Sequence, residues 1–341
     1  MNEPTDAYRR VALAFDHQEP DRVPLWGIIE NRPLYEHVLG PGHVGPAAQV
    51  SLDDKCRLHA QVYRSLGIDI TRAHLWPPDP GPQERVNWRQ HTLRADQIEH
   101  FQPALPDEAA RDEEVAVRRQ IVRTDRPHTV FAPSLRGCLC PVFEQMGLEE
   151  FSYACADSPA QVERLMHVYA GYYRSLAQRY AACAEARYVA VCDDLAFKGG
   201  LMFPPAWMRR VWLPIFRQII EPLKAAGIKV IFHSDGNMEA LIEDLIGIGV
   251  DAINPLEPLA GMDLAALKRR YGRAVTLIGG VDCSQLLPFG TPGAIRDEVR
   301  RLLDIGAPGG GFIIGDSSQI LPMTPVENVL AFYQTVHEYR G

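Results

Sequence analysis

Residues 188–235 read YVAVCDDLAFKGGLMFPPAWMRRVWLPIFRQIIEPLKAAGIKVIFHSD. This stretch opens on a short, continuously apolar run, Tyr188–Asp194 (YVAVCDD). A long segment with apolar residues at helical spacing follows, Pro205–Ala226, and the stretch closes on a second apolar run, Lys229–Asp235 (KVIFHSD). Continuous rather than alternating apolar runs belong to strands buried on both faces. A strand, a helix and a second strand in that order form the unit of a parallel sheet.

The same unit recurs in both directions. Upstream runs are Val23–Ile29 (VPLWGII), Gly67–Arg72 (GIDITR) and Thr129–Leu135 (TVFAPSL). Downstream runs are Val250–Leu256 (VDAINPL), Val275–Asp282 (VTLIGGVD) and Gly311–Asp316 (GFIIGD). Helical patterns lie between them at Ser158–Ala182, Met238–Ile248, Asp263–Tyr271 and Thr291–Ile305. Ser158-Pro159, Thr291-Pro292 and Thr324-Pro325 each read as an N-cap followed by a proline in the first helical turn. Eight strands in strict alternation with helices predict an α/β protein, a (β/α)₈ barrel. An open doubly wound sheet is the second choice, and no G-x-G-x-x-G follows any strand to support its nucleotide-binding form. The polar, proline-rich residues 77–126 interrupt the alternation and read as an insertion over one barrel face. The whole chain, 1–341, is expected to be one domain.

Composition agrees and excludes several function classes. The 341 residues are 46% hydrophobic and 23% charged, with 35 basic against 43 acidic residues and a net charge of −8. That is too apolar for a disordered chain, and a net acidic chain is a poor partner for nucleic acid. No apolar run is long enough for a membrane span, and the N-terminus carries no secretory signal. The seven scattered cysteines read as reduced thiols of a cytoplasmic protein, and Cys138-x-Cys140 lacks the second pair of a zinc site.

In a barrel the reactive residues stand where strands end and the following loops begin. Here those ends are acidic: Asp193-Asp194, then His233-Ser234-Asp235-Gly236-Asn237, Asn254-Pro255-Leu256-Glu257, Asp282-Cys283 and Asp316-Ser317. Each has a purely structural alternative. Asp282 and Asp235 can cap the next helix, and His233, following an apolar run, can be a core histidine bonded to a carbonyl. Asp193 and Asp194 point to opposite sides of a continuing strand, so one can face the pocket while the other braces a neighbour. A histidine among carboxylates can hold a divalent ion, with His233, Asp235 and Cys283 as ligands, or serve general acid–base chemistry. The sequence leaves both open.

These strand ends resemble the uroporphyrinogen decarboxylase superfamily, which includes zinc-dependent corrinoid methyltransferases. The matching stretches are EPDRVP (19–24), DDLAFKGG (193–200), HSDGN (233–237), GVDAINP (249–255), LKRRYG (267–272), GGVD (279–282), GTP (290–292) and PGGGFIIGDSSQILPMTPVEN (308–328). The resemblance implies a (β/α)₈ barrel with its site at the C-terminal mouth. The decarboxylase signature R-Q-A-G-R-Y corresponds here to WGIIENRPLY (26–35), with Arg32 alone, and Asp316-Ser317 stands where those enzymes have His-Gly. The thiol-activating methyltransferases carry His-x-Cys and a further cysteine before the last strand. Here those positions are Asp235 and Gly310.

The closer resemblance is to members that demethylate small methoxylated compounds. It implies a methyltransferase moving a methyl group between a small substrate and a corrinoid cofactor on a partner protein, assisted by zinc. His233, Asp194, Asp235, Glu257 and Asp282 are then the expected catalytic residues. Trp26, Asp193, Asn254 and Asp316 are expected to bind substrate. The expected partners are the substrate, a corrinoid-binding protein and a second copy of the chain, with neither nucleic acid nor membrane. The alternative is a decarboxylase of a porphyrinogen or another carboxylated cyclic substrate. A non-enzymatic binding module is disfavoured, because histidine and acids at several strand ends cost stability without other use.

Overall fold

The computed structural model describes residues 6–45, 49–72, 92–125 and 128–339. The strands in chain order are β1 (Leu25–Trp26), β2 (Ile70–Thr71), β3 (Val130–Phe131), β4 (Ser134–Arg136) and β5 (Tyr188–Cys192). A small hairpin, β6 (Ala196–Phe197) and β7 (Gly200–Leu201), comes next. The chain continues with β8 (Lys229–His233), β9 (Ala252–Leu256), β10 (Thr276–Val281) and β11 (Phe312–Asp316). Apart from the hairpin, all pair in parallel, in the order β3-β2-β1-β11-β10-β9-β8-β5-β4.

The two ends of that order, β3 and β4, are separated in sequence only by Ala132-Pro133. They are two pieces of one strand. Pro133 has no N–H to give the ladder, so the pairing switches there from one neighbour to the other. Ala132 N still donates to Thr71 O (2.8 Å), and Ala190 N to Pro133 O (2.9 Å). The sheet therefore curls back on itself as an eight-stranded α/β barrel.

Alternation along the strands sorts the side chains. Trp26, Ile70, Val130, Tyr188, Ala190, Ile231, Ala252, Ile278 and Ile313 pack together in the barrel interior. Their neighbours Leu25, Val189, Val191, Phe232, Ile253, Leu277 and Ile314 pack outward under the helices. The first helix, Asp6–Phe15, plugs the N-terminal end, with Phe15 4.9 Å from the Tyr188 ring. The C-terminal end is left for polar residues.

Several local expectations are refined. The segment expected to be one helix from Pro205 contains a π-turn, Met208–Trp212, ahead of Leu213–Ala225. Pro214 cannot donate to the turn before it, which fits the widened ring there. Thr291 caps its helix through Oγ1 on Ala294 N (3.2 Å), whereas Ser158 makes no capping bond and the last helix begins at Val326, after Pro325. Of the proposed insertion, Glu108–Asp125 forms the helix that crosses from β2 to β3, and residues 77–91 lie outside the described residues.

Candidate active site

The parallel register brings the site together. Cys192, the last residue of β5, is the Cα partner of His233 at the end of β8, and His233 is the partner of Asn254 on β9. Partners in adjacent strands face the same way, so all three side chains turn into the barrel mouth. Asp194 lies two residues beyond Cys192 and keeps its facing. The Cys192 thiol, one Asp194 oxygen and one His233 ring nitrogen lie within 4.8 Å of one another.

His233 is nearly inaccessible, and its two nitrogens have distinct partners. Arg72, just past β2, places Nη2 3.0 Å from His233 Nε2. A guanidinium only donates, so Nε2 accepts. The proton is then on Nδ1, which donates to Asn254 Oδ1 at 2.7 Å. Burial, with Arg72 alongside, holds this imidazole well below its usual pKa, so it is neutral. Arg72 also donates to Cys192, whose thiol burial pushes up to about 12.

Asp235 sits above His233. Its side chain is 48% exposed, yet Oδ1 is shut off from solvent, without a hydrogen-bond partner among the described residues, 3.6 Å from His233 Nε2. Burial, with Asp194 and Glu257 nearby, pushes this carboxyl up to about 7. Backbone bonds fix the loop: Asp235 N donates to Asp194 Oδ1 (3.1 Å) and Gly236 N to Glu257 Oε2 (2.9 Å). Gly236 has φ +84°, and a Cβ there would meet the backbone of Ala196 and Phe197 at 2.5 Å.

A cleft of about 490 Å³ opens beside this cluster. It runs from Arg72, Cys192 and Asp194 past Arg136 to Tyr173 and Arg118 on the surrounding helices. That volume suits a small molecule.

Other residues singled out in the sequence are engaged elsewhere. Trp26, expected to bind substrate, does not reach the cleft: it is fully buried in the interior layer, where a Cβ on Gly315 would touch it. Asp193, expected to bind substrate, is turned away from the cleft. It turns outward, fully buried, and accepts from the backbone of Cys138, Leu139 and Cys140 and from Trp212 Nε1 (2.6 Å). It thus anchors the N-terminus of helix Cys140–Asp157, where an anion is favoured. Asn254 orients His233 instead of reaching into the cleft.

Asp282 accepts from Ser284 N and Oγ, Gln285 N and Leu286 N, so it caps the next turn. Asp316 is fully buried, with Oδ2 accepting from Ile28 N (3.4 Å) and Oδ1 without a partner among the described residues, and burial pushes it up to about 7. Cys283 packs in the outer core with its thiol on Ser317 Oγ (3.4 Å). Cys192, not Cys283, is the thiol beside His233.

Two site residues escaped the sequence reading, and both carried a signal. Cys192 shares the strand facing of Asp194 by the two-residue period. Arg72 ends an apolar strand run, as the recognised acids do. All seven cysteines are free thiols, and among the described residues no helix is long and apolar enough to cross a membrane.

Comparison with known proteins follows the same lines. Residues 139–339 match the family model described as Uroporphyrinogen decarboxylase (URO-D). Similar curated proteins are uroporphyrinogen decarboxylases. That of Azoarcus sp. (strain BH72) is 33% identical over 110 residues, 32% of this chain and 29% of that protein. That of Neisseria gonorrhoeae (strain NCCP11945) is 32% identical over 149 residues, 41% and 39%. That of Cupriavidus pinatubonensis is 29% identical over 261 residues, 69% and 67%. The chain thus spans between a quarter and two fifths of the first two relatives. Among solved structures, a methyltransferase from Methanosarcina mazei has the same fold, with TM-score 0.71 and 17% identity over 97% of this chain and 98% of that one.

Proposed function

This chain belongs to the uroporphyrinogen decarboxylase family, and we propose that within it the protein is a methyltransferase. It moves a methyl group between a small, methoxylated substrate and a corrinoid carried by a partner protein, in the cytoplasm. The observation that carries this reading is the convergence of Cys192, Asp194 and His233 at the barrel mouth. Thiolate, imidazole and carboxylate together are the donor set of a zinc site that keeps a position open for substrate. The whole-chain likeness to the fold of a methyltransferase supports the same assignment.

The roles follow from the geometry. Cys192, Asp194 and His233 would hold the ion, with Asn254 fixing the His233 ring so that Nε2 faces inward. Bound zinc would act as a Lewis acid on the ether oxygen. Asp235, whose carboxyl burial pushes up to about 7, would be the group placed to protonate the leaving oxygen, and a corrinoid on the partner would supply the methyl acceptor. Glu257 holds the Asp235 loop through Gly236 N.

A specific observation favours a second reading. Arg72, Arg118 and Arg136 converge on the cleft although the sequence around Trp26–Tyr35 lacks the decarboxylase arginines. Guanidinium groups pair well with carboxylates, so decarboxylation of a carboxylated cyclic substrate without metal is the alternative. One experiment separates the two. Protein purified without chelator is assayed for zinc, for transfer of methyl from methoxylated aromatic compounds to cob(I)alamin, and for CO₂ release from a porphyrinogen. Near-stoichiometric zinc with methyl transfer supports the first reading. Less than a tenth of an equivalent of zinc, with CO₂ release unaffected by chelator, overturns it in favour of the second.

A further inference from the structure

Arg72 stands where the metal reading needs a cation. Its Nη2 lies 3.0 Å from His233 Nε2, and the same guanidinium donates to Cys192. Its charge also reaches Asp235 and Asp316. His233 has a single lone pair to offer, because Asn254 Oδ1 holds the proton on Nδ1. A zinc ion on Nε2 would sit at about 2.0–2.1 Å along that lone pair. The Arg72 nitrogen and the ion would then be about 1 Å apart, which neither sterics nor like charge permits.

We propose that Arg72 is a resident competitor for the metal position, with its guanidinium and a divalent ion taking His233 Nε2 and Cys192 Sγ in turn. The inference rests on the metal-assisted reading above. Without the ion, the trio is kept in register by a cation the chain itself supplies, so its ligands neither scatter nor bond to one another. Loading the metal ejects the guanidinium into the cleft and releases the Cys192 thiol proton to solvent. Zinc affinity is therefore set by the work of displacing Arg72 as well as by the ligands.

The test is zinc affinity measured by competition with a chromogenic chelator, with thermal unfolding as a check on folding. Arg72→Leu should bind zinc at least tenfold more tightly than wild type. Arg118→Leu removes an equal charge from the same cleft away from the trio and should shift the affinity less than threefold. Equal or weaker binding by Arg72→Leu overturns the proposal, as does an equal gain in both variants, which would report general electrostatics. If the leucine variant fails to fold, zinc-loaded wild type decides: a crystal structure should show Arg72 out of hydrogen-bond range of His233 Nε2, and a guanidinium still on Nε2 beside bound zinc overturns the competition. Absence of zinc binding in wild type and variants alike defeats the metal reading itself, and the competition with it.

Discussion

Cys192 and His233 are Cα partners in the parallel ladder between β5 and β8, so their side chains emerge side by side into the barrel mouth. A register shift of one residue would turn one of them into the helical layer. Two of the three candidate ligands therefore ride on the barrel's own strands, and the ligand geometry can be tested one residue at a time.

The two candidate thiols separate cleanly. Cys192→Ser should weaken zinc binding by at least a hundredfold, whereas Cys283→Ser, which alters contacts with Ser317 and Gln319 away from the trio, should change it less than twofold. Cobalt(II) substitution offers a second readout. The sulfur-to-cobalt charge-transfer band should vanish in Cys192→Ser and persist in Cys283→Ser.

Asn254 is expected to act through His233. Asn254→Ala frees the ring to rotate or change tautomer and should cost roughly 10–100-fold in zinc affinity, the usual effect of losing the partner that orients a ligand. Asn254→Asp keeps an acceptor for Nδ1–H and should restore most of it. Equal losses in both variants would argue against an orienting role.

Asp193 is expected to matter for stability and not for chemistry. Asp193→Ala would leave the N–H groups of Cys138, Leu139 and Cys140 and the Trp212 indole buried without an acceptor. The cost should be about 3 kcal/mol or more, read as a lower urea midpoint. A change below about 1 kcal/mol would contradict the bonding described.

Asp316 should make stability depend on pH. Its folded pKa is raised to about 7 from an ordinary 3.8, mainly by burial, so the folded state keeps a proton that the unfolded chain releases. Its stabilisation is fully present below about pH 4 and is lost as pH rises through 7. Asp316→Asn removes this titration. The stability of wild type relative to the variant should fall between pH 4 and pH 8, and a constant difference would contradict the shift.

Gly236 tests the tight turn under Asp235. With φ +84° and the backbone of Ala196 and Phe197 2.5 Å from a Cβ, Gly236→Ala should cost about 2–3 kcal/mol. It should also displace Asp235, so that methyl transfer falls more than zinc affinity does.

All eight barrel strands and the principal helices from Ser158 onward were legible in the sequence, because continuous apolar runs and helical spacing follow directly from burial on one or two faces, whereas the helices Asp6–Phe15, Arg32–Leu39, Leu52–Ser65, Glu108–Asp125 and Cys140–Asp157 were not read from it. The strand ends were legible too: His233, Asp194 and Asp235 were named from their position alone, and they meet. Even the division of labour at Asp193-Asp194, one inward and one bracing, is set by the two-residue period of a strand. What each polar residue touches was not legible. Whether Asp282 caps or catalyses depends on where the following backbone N–H groups fall. Whether Trp26 walls a cleft or fills the interior depends on its depth along the barrel axis. The choice of Cys192 over Cys283 beside His233, and the reach of Arg72 across 161 residues of sequence to Nε2, follow from barrel closure and register. Periodicity is a local property that one chain segment carries by itself, whereas the partner of a side chain is a long-range property that exists only once the sheet has curled shut.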